Sequence, residues 1–238
     1  MKVIVFGASG ATGKQVVRQL MKRQIKTRIL IRKKVVLPND IQENPYIEVV
    51  KGNVSELNDS EMKQLLYDCH TIISCLGHNM TLKGMFGNPR YLVFDTLKKI
   101  TENVGKEQDK KLKLVLMSTT AYTNDLVQEK NSVGEKLIFS LLSLILPPHR
   151  DNIKAANYLV TEMVEEDERI EWTAVRPDTL VDIEQESQYD VYESPVRSPI
   201  FNAGKTSRIN VSHFIVELIT DDALWREWKG KTPVIYNR

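Results

Sequence analysis

A glycine-rich turn near the amino terminus constrains the fold of this chain more than any other feature. The turn consists of Gly7, Ala8, Ser9, Gly10, Ala11, Thr12 and Gly13. It follows an apolar run at residues 3–6 and precedes residues 14–21, in which apolar side chains recur at helical spacing. A strand, a glycine turn and a helix in this order predict a nucleotide site.

The physical reason lies in the backbone of the turn. The first N–H groups of the helix lack partners, and together with the helix dipole they attract an anion. A side chain at Gly7 or Gly10 would obstruct the turn or its ligand, and one at Gly13 would push the helix off the strand. We therefore predict that this turn binds a pyrophosphate; the alternative is a glycine loop without a ligand.

Size and charge limit the class of protein. With 238 residues, of which 42% are hydrophobic, the chain can bury one sizeable core, so we expect a single domain over residues 1–238. The formal net charge of +2 gives no strong field that would favour nucleic acid or an anionic membrane as partner. We therefore expect a protein, monomeric or homodimeric, that acts on a small molecule.

Neither a membrane span nor a metal site is predicted. The longest apolar run, at residues 137–146, is about half as long as a membrane span. The two cysteines, Cys69 and Cys75, form no Cys-x-x-Cys pair, so we expect no metal ligands and no disulfide framework. The N-terminus lacks the shape of a signal peptide, which leads us to expect a cytoplasmic location.

Strand and helix signals alternate through most of the chain. Strands are predicted at 3–6, 27–31, 47–50, 71–75, 112–117, 172–175 and 233–236, and helices at 11–22, 56–67, 91–103, 152–164 and 211–220. This alternation predicts an α/β fold of the Rossmann type, a doubly wound parallel sheet with helices on both faces. A ligand would then lie at the carboxyl ends of the strands, where the strand order reverses.

Two segments interrupt the alternation. Residues 121–150 contain an apolar stretch at 135–146 followed by Pro147 and Pro148, which predicts an inserted helix that the prolines end. This helix could be a lid, a dimer contact or an ordinary packed helix. Residues 182–208 are polar, and we expect loops and short strands that begin a substrate-side region extending over residues 182–238.

The end of the second strand indicates which dinucleotide the site prefers. A site that prefers NAD usually places a carboxylate there to hold the ribose hydroxyls, but this chain has Arg32, Lys33 and Lys34, with no acid before Asp40. A guanidinium can bind a 2′-phosphate through two parallel hydrogen bonds. Arg32 therefore favours NADP(H) over NAD(H), against the alternative of a solvated basic turn.

Other strand ends carry further candidates for cofactor binding. Asn53 could hydrogen-bond an adenine edge or simply form a turn. Leu76 and Gly77 would lie against the adenosine ribose and the pyrophosphate, and Pro177 could shape a nicotinamide pocket. His78 is taken as a solvated loop residue rather than an acid.

Candidate catalytic residues follow the fifth strand and lie on a later helix. The hydroxyls of Ser118, Thr119 and Thr120 would face a nicotinamide and could orient a substrate by hydrogen bonding; a polar turn is the alternative. Lys154 and Tyr158 are four residues apart and so share one helix face.

Together these motifs resemble the short-chain dehydrogenase/reductase superfamily, and more narrowly its atypical branch of NmrA-like and biliverdin-reductase-B or flavin-reductase-like proteins. The resemblance extends from residue 2 to about residue 180. It rests on the glycine turn, Arg32, the segments 52–53 and 74–77, the segment 118–121 and the segment 175–177. It implies the strand order 3-2-1-4-5-6-7, with NADPH along the carboxyl edge and with Ser118 or Thr120 near the nicotinamide.

One departure from the superfamily bears on the reaction. Most members use a Tyr-x-x-x-Lys pair, in which the lysine lowers the pKa of the tyrosine, but here no tyrosine has a lysine four residues later. The flavin-reductase-like branch avoids this requirement, because hydride transfer to a flavin depends mainly on orientation. We therefore predict an NADPH-dependent reductase of a flavin, quinone or similar planar acceptor. The alternatives are an NADP(H)-binding redox sensor or scaffold without turnover, and an atypical reductase or epimerase that uses Lys154.

Overall fold

The computed structural model describes residues 1–78, 81, 84, 86–105, 111–163 and 169–238. The strands are β1 (Lys2–Phe6), β2 (Lys26–Ile31), β3 (Ile47–Lys51), β4 (Thr71–Ser74), β5 (Leu112–Met117), β6 (Ile170–Pro177), β7 (Thr179–Val181), β8 (Tyr189–Tyr192), β9 (Lys205–Ser207) and β10 (Val234–Asn237). The helices are α1 (Ala11–Lys22), α2 (Asn39–Gln42), α3 (Asp59–Leu66), α4 (Leu92–Asn103), α5 (Val133–Ile145), α6 (Pro147–Glu162), α7 (Arg208–Thr220) and α8 (Asp222–Trp228). Short 3₁₀ turns lie at Val54–Glu56 and Asp125–Val127.

The strand order confirms the predicted doubly wound sheet. Within the described ranges the main sheet runs β3-β2-β1-β4-β5-β6-β10-β8, and every neighbouring pair is parallel except β10 and β8. The first six positions follow the expected order 3-2-1-4-5-6, and the predicted last strand takes the seventh as β10. The antiparallel edge strand β8 was not expected in this sheet. The order reverses between β1 and β4, so the carboxyl ends of these strands form the edge at which a ligand is expected.

Both faces of the sheet are covered by helices, because residues along each strand alternate between two apolar cores. On β1, Ile4 and Phe6 belong to the core under α3, α4 and α6, whereas Val3 and Val5 belong to the core under α1, α7 and α8. All four side chains are fully buried. Within the described residues no helix is long and apolar enough to cross a membrane.

Several helix boundaries differ from the sequence prediction. The prolines do not simply end the inserted helix: Pro147 and Pro148 open α6, because proline fits the first helical turn, where its missing N–H needs no partner. Helix α3 begins at Asp59 rather than at residue 56, since Asn58 and Glu61 form a capping box. The prediction missed helices α2 and α8, and the predicted helix end at residue 164 lies outside the described residues.

Candidate functional site

The glycine turn after β1 is shaped by two close backbone approaches. Gly7 has a positive φ of 76°, and a Cβ there would lie 2.4 Å from the carbonyl oxygen of Cys75 on the neighbouring strand end. A Cβ at Gly13 would lie 2.1 Å from the carbonyl oxygen of Gly7, so only glycine allows α1 to pack this closely against the turn. The Gly10 N–H donates to the Gly7 carbonyl oxygen at 2.9 Å and closes the turn.

The N-terminus of α1 is left open for an anion. Gly10 is the N-cap, no side chain caps the first turn, and that turn holds no acidic residue. By contrast, α3 and α5 each begin with a capping box in which a side chain satisfies the first N–H groups. The uncapped N–H groups of residues 11–13, beside glycines that let a ligand approach the backbone, fit a pyrophosphate.

The basic turn after β2 leaves Arg32 available. Arg32, Lys33 and Lys34 are exposed, and the Val35 N–H donates to the Arg32 carbonyl oxygen at 2.9 Å. The Arg32 side chain has no hydrogen bond or ion pair with any described residue. The first acid that follows, Asp40, is bound to Arg18 at 2.8 Å, and this hydrogen bond lowers the pKa of the Asp40 carboxyl. Among the residues that the structure describes, the turn after β2 therefore presents a guanidinium without a competing carboxylate, and such a group can bind a phosphate.

The candidates after β3 and β4 differ in whether they are free to contact a ligand. The side-chain oxygen of Asn53 accepts from Ser55, and its amide nitrogen donates to Glu56 at 2.8 Å. Asn53 thus acts as a turn former in this structure. Gly77 is exposed after β4 with open space beside its Cα, while Leu76 is half-buried against the core, so this strand end can accept a ligand surface.

The three hydroxyls after β5 have different environments. The Ser118 hydroxyl is buried and has no hydrogen-bond partner within the described residues. The Thr119 hydroxyl accepts from the Ala121 N–H at 3.2 Å and so shapes the turn. Thr120 is buried and forms part of the wall of a cavity. Buried polar groups normally have partners, and the Ser118 oxygen is one of four such atoms without a partner among the described residues, so a ligand group could bind it.

The cavity beside Thr120 has a volume of about 460 Å³. Its walls come from the segment after β5, from the start of α5 and from the segment after β8, and include Thr120, Tyr122, Thr123, Val127, Gln128, Glu129, Lys130, Asn131, Glu135 and residues 194–199. Burial raises the pKa of Tyr122 to about 12, so its phenol stays protonated. The cavity has the size of a small-molecule site and carries several polar groups that could fix an orientation.

A buried ion pair supports one wall of this cavity. Arg176 on β6 is fully buried, and its guanidinium binds both carboxylate oxygens of Glu129 at 2.6 and 2.8 Å. It also donates to the carbonyl oxygens of Thr232, Tyr122 and Glu193. Arg176 thereby ties β6 to three other segments, and it holds Glu129 in the cavity wall.

Pro177 and Asp178 lie at the end of β6. Pro177 is buried as the last residue of the strand and is paired with Ile235 of β10, which makes it part of the sheet. Asp178 accepts from the N–H groups of Gly204 and Thr179, both at 2.8 Å. Burial raises the pKa of this carboxyl, and its hydrogen bonds, which include one from Thr120, oppose the rise. Asp178 therefore anchors the loop before β9 next to Thr120.

The structure does not join Lys154 and Tyr158 into a pair. The Tyr158 hydroxyl lies 2.7 Å from the hydroxyl of Thr101 on α4, in the buried core, and its ring packs against Phe94. The Lys154 ammonium lies 3.9 Å from the ring centroid of Phe94 and 4.7 Å from that of Tyr91. Spacing along a helix placed both residues on one face, but Tyr158 points into the core while Lys154 stays at the surface.

The sequence analysis missed a buried contact made by His78. The His78 Nε2 atom lies 2.7 Å from Asp151 Oδ2, and Nδ1 donates to the carbonyl oxygen of Gly84 at 3.1 Å. The Asp151 carboxylate also accepts the Val93 and Phe94 N–H groups at the start of α4. His78 is therefore not solvated, and Asp151 caps α4 rather than its own helix. No local pattern signals this contact, because 73 residues separate its members.

Comparison with known proteins identifies the family. Residues 7–222 match the NAD(P)H-binding family, and the chain belongs to it. A comparison with curated protein sequences gave no match. The family assignment confirms the resemblance drawn from the glycine turn and the strand ends, and it confirms a nicotinamide dinucleotide as cofactor.

Solved structures with the same fold include three informative neighbours. A short-chain dehydrogenase/reductase from Veillonella parvula in complex with NADP has a TM-score of 0.69 and 14% identity, covering 99% of this chain and 94% of that chain. A putative NADH-flavin reductase from Streptococcus pneumoniae has a TM-score of 0.69 and 15% identity, covering 100% of both chains. An anaerobillin reductase from Escherichia coli has a TM-score of 0.68 and 16% identity, covering 100% of this chain and 97% of that chain. At these identities the likeness confirms the fold.

Proposed function

We propose that the protein is an NADPH-dependent reductase of a flavin, a quinone or a similar planar acceptor. The observation that carries the proposal is the cavity of about 460 Å³ beside Thr120, at the carboxyl edge of the sheet where the glycine turn also lies. A binding protein for the dinucleotide alone would need the glycine turn but not a second cavity for an acceptor. Two structural neighbours, a putative NADH-flavin reductase and an anaerobillin reductase, are reductases and support this proposal.

The chain's own groups would divide the work of binding. The uncapped N–H groups of α1 would hold the pyrophosphate, and Arg32 would bind a 2′-phosphate through two N–H groups. The Ser118 and Thr120 hydroxyls would orient the two ring systems, Ser118 through an oxygen that has no described partner. The bound dinucleotide supplies a hydride when an acceptor is present. A reduced flavin or quinone can take its proton from water, so this chemistry does not need the missing Tyr-x-x-x-Lys pair.

The test follows nicotinamide absorbance with NADPH or NADH, and with FMN or a small quinone as acceptor. We expect oxidation above the no-enzyme blank and a preference for NADPH. In Arg32→Glu the KM for NADPH should rise about 10-fold or more, because a charge-assisted contact is lost and a repulsive one is introduced, while the KM for NADH should change little. Lys34→Glu, the same charge change two residues away, is the matched control. Equal losses for the two dinucleotides in Arg32→Glu would contradict the phosphate role.

A second candidate is a dinucleotide-binding redox sensor or scaffold without turnover. The placement of Tyr158 favours it, because this phenol is bound to Thr101 in the core and cannot act as an acid at the sheet edge. A thermal shift with NADPH but no oxidation with any acceptor would support this reading. The third candidate, a reductase or epimerase that uses Lys154 as proton donor, predicts turnover that Lys154→Met abolishes.

A further inference from the structure

Helix α5 has an apolar stripe on the side that faces solvent. The stripe comprises Val133, Leu137, Leu141, Leu144 and Ile145, which are 86%, 73%, 54%, 79% and 53% exposed. At about 100° per residue, the first four fall within an arc of about 80°, so they form one continuous line along the helix. Among the described residues nothing covers this line.

The opposite side of the helix already packs on the rest of the protein. Phe139 is buried and stacks on His149, and Glu135 is buried in the capping box, where it also accepts from Ser198. A helix that packs on one side normally turns polar residues to water on the other. Here most of the solvent side is also apolar, which packing on the rest of the protein does not explain.

The size of the patch matches a specific interface. The ring of Phe201, 65% exposed, would lie 3.2 Å from a Cβ at Gly134, and it extends the patch at the start of the helix. From the exposed fractions, the stripe and Phe201 together present on the order of 700 Å² per chain, above the 300–600 Å² of the largest patch on a typical monomer and close to the roughly 800 Å² per partner of a standard interface.

We propose that the solvent face of α5 is the contact between two copies of this chain, which pair antiparallel about a two-fold axis near the middle of the helix. Such a contact uses the same patch twice, so a single self-complementary stripe is sufficient. In this arrangement Leu137 of each copy meets Leu141 of the other. The stripe itself contains no acid, and Lys136 and Ser140 lie along its border. Pairing of two copies through the stripe therefore brings no like charges together at its centre.

Charge argues against a membrane surface as the occupant. Interfacial helices combine an apolar face with a polar face rich in Lys and Arg that attracts anionic lipids. On α5 the acid Glu135 is buried, and Lys136 is the single basic residue of the helix. The proposal does not depend on the reductase activity.

The experiment measures molar mass in solution by sedimentation equilibrium of the full chain at concentrations from about 1 to 100 μM. We expect twice the 27.3 kDa of one chain, and dissociation in Leu137→Glu, because each copy would then bury an unpaired carboxylate. The dissociation constant should rise on the order of 100-fold. Tyr67→Glu, at a site that is 77% exposed on another face, is the matched control and should remain dimeric.

A second position in the stripe provides an independent variant. Leu144→Glu is used if Leu137→Glu does not fold as judged by circular dichroism. A wild-type chain that is monomeric at 100 μM, or stripe variants that remain dimeric, would overturn the proposal. Monomers that co-sediment with phosphatidylglycerol vesicles only when Leu137 is intact would overturn it in favour of a membrane surface.

Discussion

Breaking the buried ion pair of Arg176 and Glu129 should cause a large loss in the free energy of unfolding. Arg176 is fully buried, the side chain of Glu129 is 6% exposed, and their closest contact is 2.6 Å. In Glu129→Gln the guanidinium keeps its three carbonyl acceptors but loses its counter-charge, and the new amide group faces one of its N–H donors. Removing one partner of a buried ion pair costs about 3–5 kcal/mol, because the remaining charge, here on the fully buried Arg176, loses its counter-charge.

The cost translates into a measurable shift of the melting temperature. With about 2.1 cal/mol/K per residue, unfolding of the 238-residue chain has an entropy near 0.5 kcal/mol/K, so Glu129→Gln should lower Tm by about 6–10 °C. Differential scanning calorimetry measures this shift directly. The control is Glu193→Gln, which leaves the Glu193 carbonyl contact with Arg176 in place and removes only an exposed ion pair with Lys231 at 3.3 Å. Such surface pairs contribute at most about 1 kcal/mol, so the control should shift Tm by about 2 °C or less.

A second substitution removes both charges of the pair. The double variant Glu129→Leu with Arg176→Met should also be less stable than wild type, because the carbonyl oxygens of Thr232, Tyr122 and Glu193 lose their donor. The reasoning would be refuted by a Glu129→Gln protein that melts within about 2 °C of wild type. That result would mean that the guanidinium finds another counter-charge or that water enters the site.

Three further predictions rest on other contacts. Gly13→Ala should weaken NADPH binding, measured by nicotinamide fluorescence, and should lower the free energy of unfolding by about 1–3 kcal/mol, since its Cβ would lie 2.1 Å from the Gly7 oxygen. Gly105→Ala is the control and should have little effect, because a Cβ there would meet nothing within 4 Å. Asp151→Asn should lower the free energy of unfolding by about 1–3 kcal/mol, measured by thermal melting. Both carboxylate oxygens accept backbone N–H groups of α4, and an amide must turn a donor toward one of them. The exposed Asp95→Asn is the control, and equal melting of the two variants would contradict the argument. Hydrogen bonds from Ser198 and Ser132 lower the pKa of Glu135 below its ordinary 4.5, so its contribution is present above that pH and is lost as pH falls through the folded pKa. The wild type should therefore lose Tm more steeply than Glu135→Gln between about pH 5 and pH 3, and parallel pH profiles would refute this assignment.

The sequence predicted the part of the site that is built from local signals. The glycine turn, its strand and its helix are adjacent in the chain, and their residue types are required by backbone geometry that the structure shows at Gly7 and Gly13. Arg32 follows its strand directly, so its position at the sheet edge came with the prediction of that strand. The order of the first six strands also followed, since β-α units of one handedness leave few arrangements.

The contacts of a side chain were harder to predict where its partner lies far away in the sequence. Spacing placed Lys154 and Tyr158 on one helix face, but the packing of α6 against α4 decided that Tyr158 meets Thr101 in the core. His78 has no local feature that distinguishes a solvated loop residue from a buried one, and its partner lies 73 residues further along the chain.

The sequence by itself therefore determined the α/β class, the glycine turn and the basic turn after β2, because hydrophobic periodicity and glycine act within a few residues. Only the tertiary structure decided three other features: the cavity beside Thr120, the Arg176–Glu129 pair that supports it and the exposed stripe on α5. The first two arise where separate segments of the chain come together, and the contacts of Arg176 among them span 17 to 56 residues. The third depends on which face of an apolar helix packs on the rest of the protein. A helix that is apolar on two sides does not specify that face by its own sequence.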